Sequence, residues 1–114
     1  MKAKKSASDT SITVGSGNVY ADLGFKNAEE MLVKARLVIK IAEIIKAKHY
    51  TQTRAATILR LTQPKLSALL RGQFRGFSER KLMDCLTLLG QDVQIVVRHA
   101  SRARPRGSVS VLFV

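Results

Sequence analysis

The sequence lacks tryptophan, and it has one cysteine, two prolines and only 5% aromatic residues among its 114 positions. A core with so few aromatic side chains has to be built from Leu, Ile, Val and Ala. The lone cysteine, Cys85, has no second cysteine and no nearby histidine, so disulfide formation, metal ligation and nucleophilic catalysis all lack partners. We therefore expect Cys85 to be a small buried hydrophobic residue.

Long hydrophobic runs are missing too. No stretch of about 18 apolar residues occurs, and the N-terminus has no signal-peptide hydrophobic region, so we expect a cytoplasmic protein that does not bind membranes. Paired carboxylates, a catalytic triad and a phosphate-cradling glycine loop are also missing, which argues against an enzyme. We expect no cofactor, no metal and no catalytic residues. The length suits one domain with tails.

Acidic residues are scarce, at 8 against 20 lysines and arginines, and the formal net charge is +12. This balance favours a polyanionic partner such as nucleic acid. The charges are unevenly placed. Residues 51–81 hold seven basic and one acidic side chain, a net charge of +6, whereas residues 9–30 hold four acidic and one basic, a net charge of −3. The sequence thus has one basic region and one acidic region, which predicts two kinds of partner.

The chain divides into three parts. Residues 1–26 are polar and glycine-containing, which predicts a flexible N-terminal arm. Residues 27–90 carry helical patterns and are the expected folded domain, whose central motif is described below. Residues 91–114 contain DVQIVVRHA and SVSVLFV, whose β-branched alternation predicts two strands serving dimerisation or partner contact. The arginines of the loop between them, in 98–106, either reach DNA or only keep the loop soluble.

The first predicted helix runs from about Ala28 to Lys48. Asn27 is typical of an N-cap, and Glu30 would complete a capping box. The helix is apolar over most of its circumference, with a narrow polar strip at Arg36, Lys40 and Glu43. Such a helix must bury a second face, either in its own core or against another chain, and the sequence leaves both open.

The stretch TQTRAATILRLTQPKLSALLRG, residues 51–72, predicts two short helices separated by a tight turn. Two alanines stand where a close helix crossing needs small side chains, and leucines flank the break. Thr62 can cap the second helix, and Pro64 is tolerated in its first turn, where the missing amide would have no intrahelical partner. A further helix is predicted between its cap, Ser78, and its stop, Gly90. This pattern predicts a helix-turn-helix.

The second helix of the pair has a short polar and basic face opposite its leucines. Such a face suits the major groove of DNA, and the less favoured alternative is the solvated side of a surface helix. The residues on this face are Gln63, Lys65, Ser67, Ala68 and Arg71.

These residues carry a family resemblance. The pattern TQ…A…L…Q…S…L…G is similar to the XRE or phage-repressor type of helix-turn-helix. The wider span, Ile12 to Val97, resembles the HigA-like antitoxins of that family through SGNVYADLG and LGQDV. The expected fold is therefore mainly α, a phage-repressor-like bundle of about four to five helices with a short C-terminal β-ribbon. One residue departs from the pattern, because Arg60 stands in the turn where the family usually has glycine, at a position that is often left-handed.

The resemblance also implies which residues bind DNA. Gln52 would hold a phosphate, and Arg71 and Arg75 would clamp the backbone on the flank. Gln63 would face adenine and Lys65 guanine, with Ser67 also at base edges. The full predicted DNA-binding set is Gln52, Thr53, Thr62, Gln63, Lys65, Ser67, Arg71 and Arg75.

The predicted function is that of a sequence-specific DNA-binding antitoxin that represses its own operon and neutralises a RelE- or HigB-type toxin by direct contact. A single helix-turn-helix reads a half-site, so a homodimer on double-stranded operator DNA is expected, joined by the C-terminal strands or the wide first helix. The resemblance implies a basic toxin, and the expected toxin contact is the acidic group Asp22, Glu29 and Glu30. The alternatives are a free-standing phage-type repressor without a toxin partner and a basic RNA-binding protein.

Overall fold

The computed structural model describes residues 27–104 and 106–114, so the predicted arm, residues 1–26, lies outside the described residues. Four helices occur in this part of the chain and no strand does, which confirms the mainly α class. In chain order the helices are α1 (Ala28–Ala47), α2 (Gln52–Leu59), α3 (Gln63–Leu70) and α4 (Glu79–Leu88).

The longest helix, α1, uses most of its wide apolar surface inside the chain. It packs chiefly against α4 and also contacts α3. Only Ile39 among its large apolar side chains stays well exposed, at 56% of its surface. Its buried aliphatic residues are Val33, Leu37, Val38, Ile41, Ile44 and Ile45.

The predicted capping box at the start of α1 is wrong, although the helix begins at the predicted residue. The Asn27 side chain makes no hydrogen bond to the helix, because its backbone, at φ −104° and ψ 51°, departs from the extended conformation that aims an N-cap side chain at the first amides. Glu30 pairs forward instead, with its Oε2 3.0 Å from Lys34 Nζ.

The predicted helix-turn-helix is confirmed in α2 and α3. The Thr51 hydroxyl accepts the Arg54 amide at 3.1 Å, and the Thr62 hydroxyl accepts the Lys65 amide at 3.3 Å. Arg60 ends α2 at φ 59° and ψ 39°, so the turn is left-handed although it contains no glycine. A left-handed conformation costs a residue with a Cβ about 1–2 kcal/mol.

The last helix, α4, closes an aliphatic core. The Ser78 hydroxyl accepts the Lys81 amide at 3.0 Å, and Gly90 leaves the helix at φ +87°, both at the predicted positions. Burial raises the pKa of the Cys85 thiol, as expected for a residue inside the core. The largest fully buried side chains are Ile41, Leu59, Leu66, Leu69, Leu82 and Cys85.

The predicted C-terminal β-ribbon is not seen in the described residues. The chain reverses where the basic loop was expected, with the Arg104 amide donating to the Ser101 carbonyl at 3.1 Å, but no ladder follows on either side. Two strands alone are marginally stable, because only one set of backbone groups pairs and little apolar surface is buried. The chain then returns to α1, where the Phe113 ring lies 5.4 Å from the Arg36 guanidinium and 5.2 Å from Lys40 Nζ.

Candidate nucleic-acid interface

The helix α3 divides its residues between the core and the surface. Leu66 and Leu69 are fully buried and fix the helix on the bundle. Gln63 and Lys65 are exposed on the outside and Ser67 is half-buried. Because residues four apart share one side of a helix, Gln63, Ser67 and Arg71 form a short row of polar and basic groups on the outer surface.

Ser67 and Arg71 are linked on this outer surface. Arg71 Nη1 donates to Ser67 Oγ at 2.6 Å, one turn back along α3. The bond fixes the guanidinium against the helix while its other N–H groups remain available, and the Ser67 hydroxyl proton stays free to donate. The family resemblance implies separate contacts for these two residues, whereas the structure joins them by a hydrogen bond.

The remaining predicted DNA-binding residues are all exposed. Gln52 and Thr53 are exposed at the start of α2, where unpaired amides favour an anion. Thr62 is exposed, and its hydroxyl oxygen already accepts the Lys65 amide. Arg75 is exposed in the loop between α3 and α4. All four residues are thus accessible to a partner.

A groove of about 410 Å³ separates α3 from the start of α4. Leu61 and Phe77 contribute apolar surface to it, while Lys65, Gln73 and Lys81 contribute polar groups. Two lysines in a single groove next to the exposed row of α3 are suited to a phosphate group. Sequence reasoning missed Gln73 and Lys81, because they line a groove with Lys65 only once the chain between α3 and α4 has folded.

Comparison with known proteins agrees with this geometry. A family described as a helix-turn-helix domain matches residues 19–98. A solved structure described as an XRE-family transcriptional regulator superposes with a TM-score of 0.73 at 39% sequence identity, covering 77% of this chain and 99% of that chain. The chain belongs to the XRE-type helix-turn-helix family. No curated protein matches it.

The XRE-type resemblance predicted from the sequence is therefore confirmed, and the protein is a helix-turn-helix DNA-binding regulator. Within residues 27–104 and 106–114, no group of His, Cys, Asp and Glu residues is arranged to hold a metal ion. None of the helices in these ranges combines the length and hydropathy needed to cross a membrane.

The XRE-type bundle contains a buried charge that sequence reasoning missed. Lys34 in α1 is only 6% exposed, and its Nζ lies 3.0 Å from Glu30 Oε2 and 3.4 Å from the Arg75 carbonyl oxygen, to which it donates. The contact ties α1 to the loop that follows α3. A signal was present, since a lysine on the apolar side of a helix has to find partners for its charge.

The predicted toxin-contact residues are only partly described. Asp22 lies outside the described residues, and Glu29 and Glu30 are half-buried in the first turn of α1. The Glu30 carboxylate is already paired with Lys34, the residue that ties α1 to the loop after α3.

Proposed function

We propose that this XRE-type protein is a homodimeric, sequence-specific repressor and antitoxin, which binds double-stranded operator DNA, represses its own operon and neutralises a RelE- or HigB-type toxin by direct contact. The outer surface of α3, with Gln63 and Lys65 exposed above a fully buried leucine pair, carries the DNA half of the proposal. We assign residues 1–26 to the toxin-binding arm, 27–90 to DNA and 91–114 to dimerisation.

In this proposal α3 lies in the major groove. Its N-terminal residues reach base edges first, as in other helix-turn-helix proteins. The Gln63 amide can bond adenine in two places, and Lys65 donates to guanine. Ser67 contacts the next base edge while its oxygen holds Arg71.

Phosphates are bound on both sides of α3. Gln52, Thr53 and Thr62 are placed near helix starts, where amides and hydroxyls donate to the backbone. Arg71 and Arg75 supply charge on the other side. Each lysine or arginine that neutralises one phosphate steepens the salt dependence of binding by about 0.9 in log-log slope.

A salt-titrated mobility shift with DNA from upstream of the native gene tests the DNA half. Gln63→Ala removes a base contact, which is worth about 1–3 kcal/mol. Its operator affinity should fall by about 5- to 150-fold, while its affinity for random duplex stays nearly unchanged. Arg75→Ala is the contrasting variant, because losing a phosphate contact should weaken binding to both DNAs and lower the salt slope. Equal losses of Gln63→Ala on both DNAs would reject base readout by α3.

The antitoxin half is supported by the HigA-like resemblance and by the acidic N-terminal section, which would attract a basic toxin. Co-expression of the whole operon, followed by purification through this chain, tests for the partner. With the purified toxin, Asp22→Lys with Glu29→Lys should slow association at least about tenfold, because steering depends on charge. An unchanged association rate would reject the assignment.

Glu30 needs a separate variant, since Glu30→Lys would place two lysines side by side at Lys34. Glu30→Gln removes the negative charge without that repulsion, and it is therefore the variant that tests whether Glu30 contributes to toxin association. The free-standing repressor is the second candidate, and recovery of the chain from its native operon without any bound protein would favour it.

A further inference from the structure

We propose that residues 92–98 pair with the same residues of a second copy as antiparallel β-strands centred on Ile95. The proposal rests on the homodimer of the proposed function and adds the surface and the register that join the two copies.

The segment is apolar and exposed. Four of the five residues in 93–97 are β-branched, and the exposed fractions of Ile95, Val96 and Val97 are 79%, 72% and 90%. Contiguous exposed apolar residues mark a surface that another chain covers. Because β-branched residues favour strands, the composition of this segment indicates that the other chain pairs with it as a β-strand.

The backbone of this segment is also free to pair. Among the described residues, the last backbone hydrogen bond before it runs from the Gln91 amide to the Leu86 carbonyl at 3.0 Å, and the next along the chain runs from Arg104 to Ser101. Unpaired amides and carbonyls beside β-branched side chains form a template for another strand.

The second C-terminal segment is held by the bundle, which leaves the first as the free edge. Val111 packs against the core, and the Phe113 ring lies over Arg36 and Lys40 of α1. Gly107 lies beside Ala100, so the chain doubles back at the turn that joins the two segments. The outer segment, residues 92–98, is therefore the part left to a second copy.

Charge decides the direction of pairing. Asp92 and Arg98 are the charged residues of the segment and stand at its two ends. Antiparallel pairing centred on Ile95 places Asp92 opposite Arg98 of the second copy, twice by symmetry, whereas parallel pairing in register would place like charges together. Opposite charges facing each other across two strands stabilise the pair and like charges destabilise it.

The same register aligns the apolar residues. Ile95 faces Ile95 of the second copy across the two-fold axis, and Val93 faces Val97 on each side. The arginine-rich turns of the two copies point to opposite ends and do not repel each other.

Cysteine cross-linking of the full chain tests the register. Residues directly opposite in antiparallel strands have Cα atoms about 4.5–5.5 Å apart, which a disulfide can span. Ile95→Cys should form a disulfide-linked dimer under mild oxidation. His99→Cys is the matched control, because two copies of position 99 would lie about 27 Å apart. Cys85 stays in both variants, since it is fully buried. Equal rates, or no cross-link at Ile95→Cys, would overturn the register.

Charge exchange followed by sedimentation equilibrium gives the second readout. Asp92→Arg and Arg98→Asp should each raise the dimer dissociation constant at least tenfold, and the double variant should restore it. Both residues are exposed and lie outside the helices, so the substitutions should leave the helical content unchanged. Circular dichroism checks this. A double variant as weak as the singles would overturn the proposal.

The failures are distinguishable. A wild-type dimer that responds to neither experiment uses another surface, which overturns the strand pairing and leaves the homodimer intact. A wild-type chain that is monomeric in solution and on the operator overturns both, including the case in which residues 1–26 cover the segment.

Discussion

The helical bundle and the C-terminal segments use the same aliphatic residues in opposite ways. In the bundle Leu66 and Leu69 are fully buried, whereas Leu112 and Val97 beyond it are 74% and 90% exposed. A helix pairs its own backbone groups and needs only a core to cover its apolar side. A strand needs a neighbour for its backbone as well. The bundle therefore forms from what one chain supplies, whereas residues 92–98 are suited to a second chain.

The largest expected effect compares one leucine from each region. Leu66→Ala leaves a cavity beneath α3 and should lower the free energy of unfolding by about 2–5 kcal/mol. Leu112→Ala, the same substitution at an exposed position, should change it by less than about 0.5 kcal/mol. Urea unfolding at one protein concentration measures both. Comparable losses would show that the C-terminal segment is packed as tightly as the bundle.

Lys34 sharpens the comparison inside the bundle. Lys34→Met keeps the length of the side chain but removes the charged donor to the Arg75 carbonyl, and should cost about 1–2 kcal/mol in the free energy of unfolding. Arg80→Met is the control, because the Arg80–Asp84 pair is exposed and worth less than about 0.5 kcal/mol. The same urea assay applies. If both variants lose equally, the buried charge does not anchor the loop.

The left-handed turn provides a stabilising change. Arg60→Gly removes the strain of a Cβ at φ 59° but adds backbone entropy to the unfolded chain, for a net gain of about 0.5–1 kcal/mol. His49, at φ 57°, should respond to His49→Gly in the same direction. Thr57→Gly within α2 is the opposite control and should destabilise. Thermal unfolding compares the three variants, and a loss at Arg60→Gly would mean that the arginine side chain stabilises the turn.

The smallest effect is a pH dependence at Cys85. Burial raises the pKa of its thiol, so the folded chain keeps this proton at pH values where the unfolded chain releases it. The free energy of unfolding should therefore fall as the pH rises past 9.0, the ordinary value for the thiol. The measured quantity is the difference between wild type and Cys85→Ala, which isolates the contribution of this thiol. A difference that stays constant from pH 8 to 10 would contradict the assigned burial.

The sequence predicted the helices well because their limits are local. Thr62, Ser78 and Gly90 each act within one turn of their own position, and all three lie at the predicted boundaries. Asn27 failed as a cap because its backbone conformation is not determined by its side chain alone. The prediction of the C-terminal strands failed for a different reason. The β-branched alternation is a local pattern, whereas the hydrogen bonds of a β-ladder need a second strand.

The candidate site was predictable only in part for a related reason. The exposure of Gln63 and Lys65 could be predicted from the helical period of α3, because the leucines of this helix occupy the side that faces the core. The bond from Lys34 to the Arg75 carbonyl joins residues 41 positions apart. The groove that brings Lys81 to Lys65 likewise depends on how α4 packs. No pattern within one element contains such contacts.

The division of α3 has a consequence for how this regulator can change. The leucines that hold the helix and the polar groups proposed to meet DNA are different residues, so we expect operator preference and fold stability to vary independently. Exchanging Gln63, Lys65 and Ser67 for the corresponding residues of another regulator should redirect the protein to a new operator at little cost to its melting temperature. Paralogues with divergent targets can arise from this scaffold by a few substitutions.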